Sequence, residues 1–209
     1  MNNKLDYLKG KKILVIDLET IGLPKTIKFN EYYPYTDNSK YDSCRIVSVA
    51  WCLLNYNLDE KYDIKNYIRT LEGFTIENSH IHKITNEIAS TAGVPFNEIC
   101  EHLSQDILNA DYFIAHNAKF DYNILLNELH RSGKQDLVDK LLLMDTKKAI
   151  LCSGELSKDI CKFRFFNKGY KMPKLKELYQ FIFGHEPEIQ HEAYNDVQTL
   201  IEIMINKKI

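Results

Sequence analysis

Residues 13–20 read ILVIDLET. Ile13 to Ile16 form an unbroken apolar run, largely β-branched, the pattern of a strand covered on both faces in the middle of an α/β sheet. Asp17 and Glu19 follow two residues apart. Because side chains alternate along a strand, both acids fall on one face at its C-terminal end, where a pair of carboxylates can share a cation. An isolated acid pair of this kind also fits a strand that has simply reached solvent, so the remaining acids decide the reading.

Working outward, Arg45 to Leu54 reads as a second strand and Tyr62 to Ile68 as a third. Pro95 to Leu108 carries apolar residues at helical spacing behind a proline suited to a helix start. Tyr112 to Ala115 is predicted as a short strand, Phe120 to His130 as a helix ending near Gly133, and Leu141 to Met144 as another short strand. Leu175 to Phe183 and Ala193 to Ile205 are predicted helices. Strands come first and then alternate with helices, which predicts an α/β fold built on a mixed sheet flanked by helices. Pro24 to Ser43 is polar, Tyr-rich and full of turn residues, the composition of a long loop of functional interest.

The chain has 209 residues, 44% of them hydrophobic, enough for one sizeable core, so a single domain over 1–209 is expected. A formal net charge of -2 gives no global attraction to a polyanion, and nucleic-acid binding would have to come from local basic patches or bound metal. The five cysteines contain no CxxC pair and are expected as free thiols in a reducing compartment. No apolar signal core opens the sequence and no long uncharged apolar run follows. The expectation is an intracellular protein without membrane association, cytoplasmic or in a host compartment if the gene is viral.

Asp121 falls in the stripe Asp121, Leu125, Leu129, which should face the sheet, and Asp196 falls in the stripe Ala193, Asp196, Leu200, Met204. A carboxylate on a core-facing stripe loses hydration at a cost of several kcal/mol or so unless it is paired, metal-bound or protonated. Stabilisation by the helix macrodipole suits their early-turn positions but does not account for an inward direction. Together with Asp17 and Glu19 they ask for a shared cation. Oxygen donors without cysteine favour Mg²⁺ or Mn²⁺ over zinc. Two such ions roughly 4 Å apart can clamp a phosphodiester for hydrolysis. His191 precedes Asp196 by five residues, about 140° round a helix, so it belongs on the preceding loop or first turn. From there an imidazole could take a proton from water, although a histidine before a helix is otherwise commonly just solvated.

The segments DLETIGLP (17–24), HKIT (82–85), AHNAKFDYNILLNEL (115–129) and HEAYNDV (191–197) resemble, in order and spacing, the DnaQ-like exonucleases of the DEDDh group. The resemblance runs from about Ile13 to Met204. It implies an RNase H-like fold with a five-stranded mixed sheet whose second strand is antiparallel. It also implies metal binding by Asp17, Glu19, Asp121 and Asp196, with His191 as general base. The subgroup that uses tyrosine places it four before the last aspartate, and Glu192 stands there, so the histidine subgroup matches better. The resemblance further gives Thr20 a backbone contact to the terminal nucleotide and Leu23 the place of an apolar wedge, either of which ordinary turn packing also explains. Asn117 corresponds to a polar residue near the scissile nucleotide, Phe120 to an apolar pocket wall or plain core, and His82 to a pocket-lining residue of some members. Lys83 departs from the glycine usual after that histidine.

Lys162 to Lys176 (KFRFFNKGYKMPKLK) mixes cations with aromatics and has no acid. This is the composition of a single-strand track, with Lys168 and Lys171 as phosphate contacts, or of a solvated loop leading into a helix. The expected activity is removal of nucleoside 5′-monophosphates from a DNA 3′ end, single-stranded or frayed, in proofreading or repair. An RNA trimmer and a non-catalytic nucleic-acid-binding module are the alternatives. A polymerase partner and a homodimer are both left open.

Overall fold

The structure, a computed structural model, describes residues 4–56, 61–164, 169–187 and 192–206. The apolar run opens β1 (Lys12–Thr20), which continues through both acids. A hairpin of β2 (Thr26–Lys28) and β3 (Glu31–Tyr32) follows, so the stretch read as a loop has structure of its own. Its tip is Phe29–Asn30, with Asn30 at φ 58°, a left-handed conformation that asparagine adopts more readily than most residues. Next come β4 (Ile46–Asn55), β5 (Lys65–Ile68), α1 (Ser79–His82), α2 (Asn86–Ala92), α3 (Phe96–Asn109) and β6 (Tyr112–Ala115). The chain continues with α4 (Ala118–Arg131), α5 (Gln135–Thr146), β7 (Ile150–Cys152), α6 (Ser153–Cys161), α7 (Leu175–Phe183) and α8 (Ala193–Ile205).

The main sheet has the order β5-β4-β1-β6-β7, with β1 at its centre. β4 runs antiparallel to β1, while β6 is parallel to β1 and β7 to β6. This is the α/β, five-stranded mixed sheet flanked by helices that the sequence predicts. One strand was misplaced: Leu141–Met144 lies inside α5, and the fifth strand is β7. Leu137, Val138, Leu141 and Met144 are the buried residues of α5, at helical spacing. A Leu-Leu-Leu-Met run has high helix propensity and no β-branched residue to favour a strand.

The alternation of β1 divides the molecule. Leu14, Ile16 and Leu18 enter a core shared with buried residues of α3, α4 and α5, whereas Ile13 and Val15 enter a second core with α7 and α8. Each fully buried side chain of this kind contributes roughly 1.5–3 kcal/mol. All five cysteines are free thiols, as expected. Among the described residues no helix is long and apolar enough to cross a membrane.

Two features position the site. The parallel ladder between β1 and β6 ends at Val15↔Ile114, so the acid-bearing half of β1 runs on without β6 beside it. α4 is locked in place by buried Glu128, which pairs with Arg45 at 2.6 Å and Arg69 at 2.8 Å. Burial alone would raise the Glu128 carboxyl, but the two arginines outweigh it and hold the group below its ordinary range.

Candidate active site

Asp17 and Glu19 continue the Ile13–Val15 face of β1, so they point to the α8 side of the sheet. Immediately after Glu19 the register with β4 slips, from Glu19↔Ser48 to Thr20↔Ile46, and this irregularity ends the regular strand at the acids. α8 buries Ala193, Val197, Leu200 and Met204, and that packing brings Asp196, in its first turn, to the same place. One carboxylate oxygen from each of Asp17, Glu19 and Asp196 lies within 4.8 Å of the others.

Asp121 arrives from the other layer, on the first turn of α4, and is buried with Leu125 and Leu129 along one stripe. It stands outside that trio. Its Oδ1 accepts a hydrogen bond from the Leu18 backbone N–H at 3.2 Å, on the flank of β1 that β6 has left.

The electrostatics are those of acids crowded together out of water. Burial first, then Asp121, Asp196 and Glu19, push the Asp17 carboxyl well above its ordinary value. Burial, Asp196 and Glu192 lift Glu19 to about 7. Asp121 is raised by burial and by Glu19 and Asp196, against the lowering pull of its hydrogen bond from Leu18. Among the described residues, the charged neighbours acting on Asp17 and Glu19 are all acids. Such a set favours either protonation or a bound cation, and oxygen-only donors fit a hard divalent ion.

The other predicted residues divide. Thr20 is buried; its Oγ1 donates to the Gly22 carbonyl at 2.7 Å, and its own carbonyl accepts from Asn78 Nδ2 at 2.9 Å. Leu23 is 74% exposed just beyond the strand, as a wedge would need to be. His82 is 2% exposed and held from both sides: Nδ1 accepts from the Ile84 N–H at 3.2 Å, and Nε2 faces Asn78 Oδ1 at 3.3 Å. It also borders a small hollow with Ser48, Glu192 and Ala193. Lys83 adopts φ 65°, the left-handed conformation that glycine would take, so the backbone keeps the shape despite the lysine. Asn117 turns the chain into α4 at φ 72°, its side chain making no cap. Phe120 is half-buried against the core. Lys171 is engaged with Glu177 at 2.6 Å rather than left open to a phosphate. Lys168 and His191 lie outside the described residues.

Sequence reasoning missed three residues. Asn78 bridges His82 to the Thr20 carbonyl, tying α1 to the end of β1. Glu192 adds a further acid that raises Glu19. Tyr32, from the hairpin, has its phenol pKa raised by burial and then by Asp121. It lines a cleft of about 670 Å³ with Asn30, Asn117, Lys119 and Met172. A lone asparagine and one tyrosine among many gave no periodic signal that could have marked them.

Comparison with known proteins bears on this arrangement. The exonuclease family model matches residues 14–204. The chain is 26% identical over 203 residues to the 3′-5′ exonuclease DinG of Bacillus subtilis (strain 168), covering 97% of this chain and 18% of that protein. It therefore spans under a fifth of the curated relative's length. Among solved structures it resembles the zinc-bound Escherichia coli exonuclease I–ssDNA complex, with a TM-score of 0.67 and 14% identity, over 93% of this chain and 40% of that one. The same enzyme in complex with a dA16 oligonucleotide gives a TM-score of 0.68 at 14% identity, over 93% and 40% of the two chains. At such identities the likeness to solved structures is one of fold. With the family model spanning nearly the whole chain, from β1 to the end of α8, the chain belongs to the exonuclease family, DnaQ-like proteins of the RNase H-like fold.

Proposed function

We propose that this chain is a 3′-5′ exonuclease of the DEDDh type that removes nucleoside 5′-monophosphates from single-stranded or frayed DNA ends, acting through one domain over residues 1–209. The observation that carries the reading is the meeting of Asp17, Glu19 and Asp196 within 4.8 Å at the end of β1. Asp121 adds its charge from α4. These four carboxylates would hold two divalent cations, Mg²⁺ or Mn²⁺. Such ions, when bound, supply the positive charge that favours a water nucleophile and the departing oxygen.

The rest is work for the chain's own side chains. His191 accepts the proton of the water that attacks phosphorus, and the bond to the 3′ oxygen of the preceding nucleotide breaks. Leu23, exposed four residues beyond Glu19, and Asn117, at the start of α4, position the terminal nucleotide, with the Thr20 backbone, Phe120 and His82 around it. Lys168 and Lys171 meet the phosphates of the strand, the latter in competition with Glu177. DNA is favoured over RNA because the solved relatives include exonuclease I bound to ssDNA and exonuclease X bound to 5′ overhanging duplex DNA.

The test is digestion of 5′-labelled single-stranded DNA, duplex DNA and RNA with Mg²⁺, Mn²⁺ or EDTA, by wild type and Asp17→Ala. Stepwise shortening of single-stranded DNA from the 3′ end, abolished by EDTA and by the substitution, is expected. Hydrolysis that survives both would overturn the reading.

A further inference from the structure

The hairpin that replaces the predicted loop carries an apolar surface that the described residues leave exposed. Phe29 is 91% exposed and Ile27 52%, beyond Leu23. Two-residue hairpin turns are usually made of Asn, Asp or Gly, which accept positive φ; here Asn30 takes that conformation and Phe29 sits beside it. A single exposed apolar side chain is ordinary on a protein surface, but Leu23, Ile27 and Phe29 all stand exposed within one seven-residue stretch, a local apolar surface open to an outside partner.

The hairpin's position indicates what that is. Asn30 and Tyr32 line the 670 Å³ cleft together with Asn117 and Lys119, at the start of α4. Tyr32, which lines the cleft, lies close enough to Asp121 for that acid to raise its phenol, so the cleft adjoins the carboxylates. Lys25, the residue before β2, is exposed. Lys28 pairs with Glu31 at 2.7 Å, which neutralises that acid. Asp145 and Glu155 line the cleft as well; Glu155 is paired with Lys158 at 2.7 Å, so Asp145 opposes a phosphate backbone there and Lys119 favours it. An exposed ring near Lys25, on a hairpin that lines a cleft close to the acids, matches the chemistry of single-strand binding, where bases stack and phosphates meet cations.

Resting on the exonuclease reading above, we infer that the β2–β3 hairpin is a stacking wall for the strand approaching the site. The nucleotides preceding the scissile end lie along the cleft between the hairpin and α4, and Phe29 takes the face of one base.

The test is fluorescence anisotropy with a labelled long single-stranded oligonucleotide, using wild type, Phe29→Ala, Phe29→Leu and Phe29→Trp. Ca²⁺ replaces Mg²⁺ to limit hydrolysis, and Leu143→Ala, an exposed change on α5, serves as the control. Phe29→Ala and Phe29→Leu should weaken binding by roughly five- to a hundredfold, and Phe29→Trp should retain it. Sedimentation of the same variants reports oligomeric state. Equal binding by Phe29→Ala, or a dimer that this change dissociates, would overturn the inference; the second outcome would make the tip a contact between copies. If wild type degrades single strands while Phe29→Ala binds normally, only the hairpin inference fails. If wild type neither binds nor degrades them, the exonuclease reading fails first.

Discussion

The Leu18 backbone N–H donates to Asp121 Oδ1 across 3.2 Å, so a helix side chain accepts from the strand where β6 no longer runs beside it. Asp121 therefore combines two roles, a charge for the site and an acceptor for the backbone, and these can be separated by substitution. Asp121→Asn keeps an oxygen acceptor and removes the charge. Asp121→Ala removes both and leaves a buried N–H unsatisfied, at about 1–3 kcal/mol. Both variants are expected to lose hydrolysis. In urea titrations with EDTA, Asp121→Asn should be more stable than Asp121→Ala by about that amount. Equal midpoints would mean that the hydrogen bond contributes nothing.

The acid cluster makes metal-free stability depend on pH in a defined direction. Glu19 has its folded pKa raised from 4.5 to about 7. Its contribution is therefore fully present below the unfolded value and is lost as pH rises through the folded one. In EDTA, thermal unfolding should show wild type losing stability between about pH 4.5 and 7 relative to Glu19→Gln, on the order of 3 kcal/mol. Asp17→Asn should likewise raise the melting temperature without metal while removing activity. Saturating Mg²⁺ should abolish the loss, since the cation takes the deprotonated carboxylates. A difference that stays flat across this range in EDTA would contradict the crowding of these acids.

Lys83 holds a left-handed backbone at φ 65°, where its N–H donates to the Ser79 carbonyl at 2.8 Å. A side chain there costs about 1–2 kcal/mol, part of which glycine would give back through the greater freedom of its unfolded chain. Lys83→Gly should therefore be more stable by about 0.5–1 kcal/mol in urea unfolding. A loss of stability would show that the Lys83 Nζ hydrogen bond to the His80 carbonyl, at 2.8 Å, matters more than the strain.

His191→Ala is expected to slow the chemical step by roughly 10² to 10⁴ while metal and substrate binding change little. Single-turnover rates at saturating Mn²⁺ should rise with pH through the imidazole range for wild type and lose that limb in the variant. An unchanged rate and profile would remove His191 from the reaction.

How much of this was legible in the sequence depended on the length of each signal. β1 was readable because four apolar residues precede two acids at strand spacing, and α4 and α8 because each buries a long stripe. Asp121 and Asp196 could be placed on their inward faces by periodicity alone. β7 was missed because three residues, Ile150 to Cys152, are too few to show alternation, while the neighbouring leucines of α5 offered a louder apolar run. The meeting of Asn78 with Thr20, 58 positions apart, is a tertiary event that no local pattern encodes. The hairpin escaped notice because its strands hold three and two residues, and its most exposed ring has no periodic partner.

The shortness of β6 has one more consequence, which concerns self-association rather than chemistry. A strand flank with a free N–H is an invitation for another extended chain to pair, and such edges ordinarily lie at the margins of a sheet, where charge or twist guards them. Here the ladder's end at Val15 leaves one on the central strand, and Asp121, seated on Leu18, fills it with a carboxylate. Without an acceptor at that point, the middle of the sheet would keep one open donor of the kind that edge strands must guard.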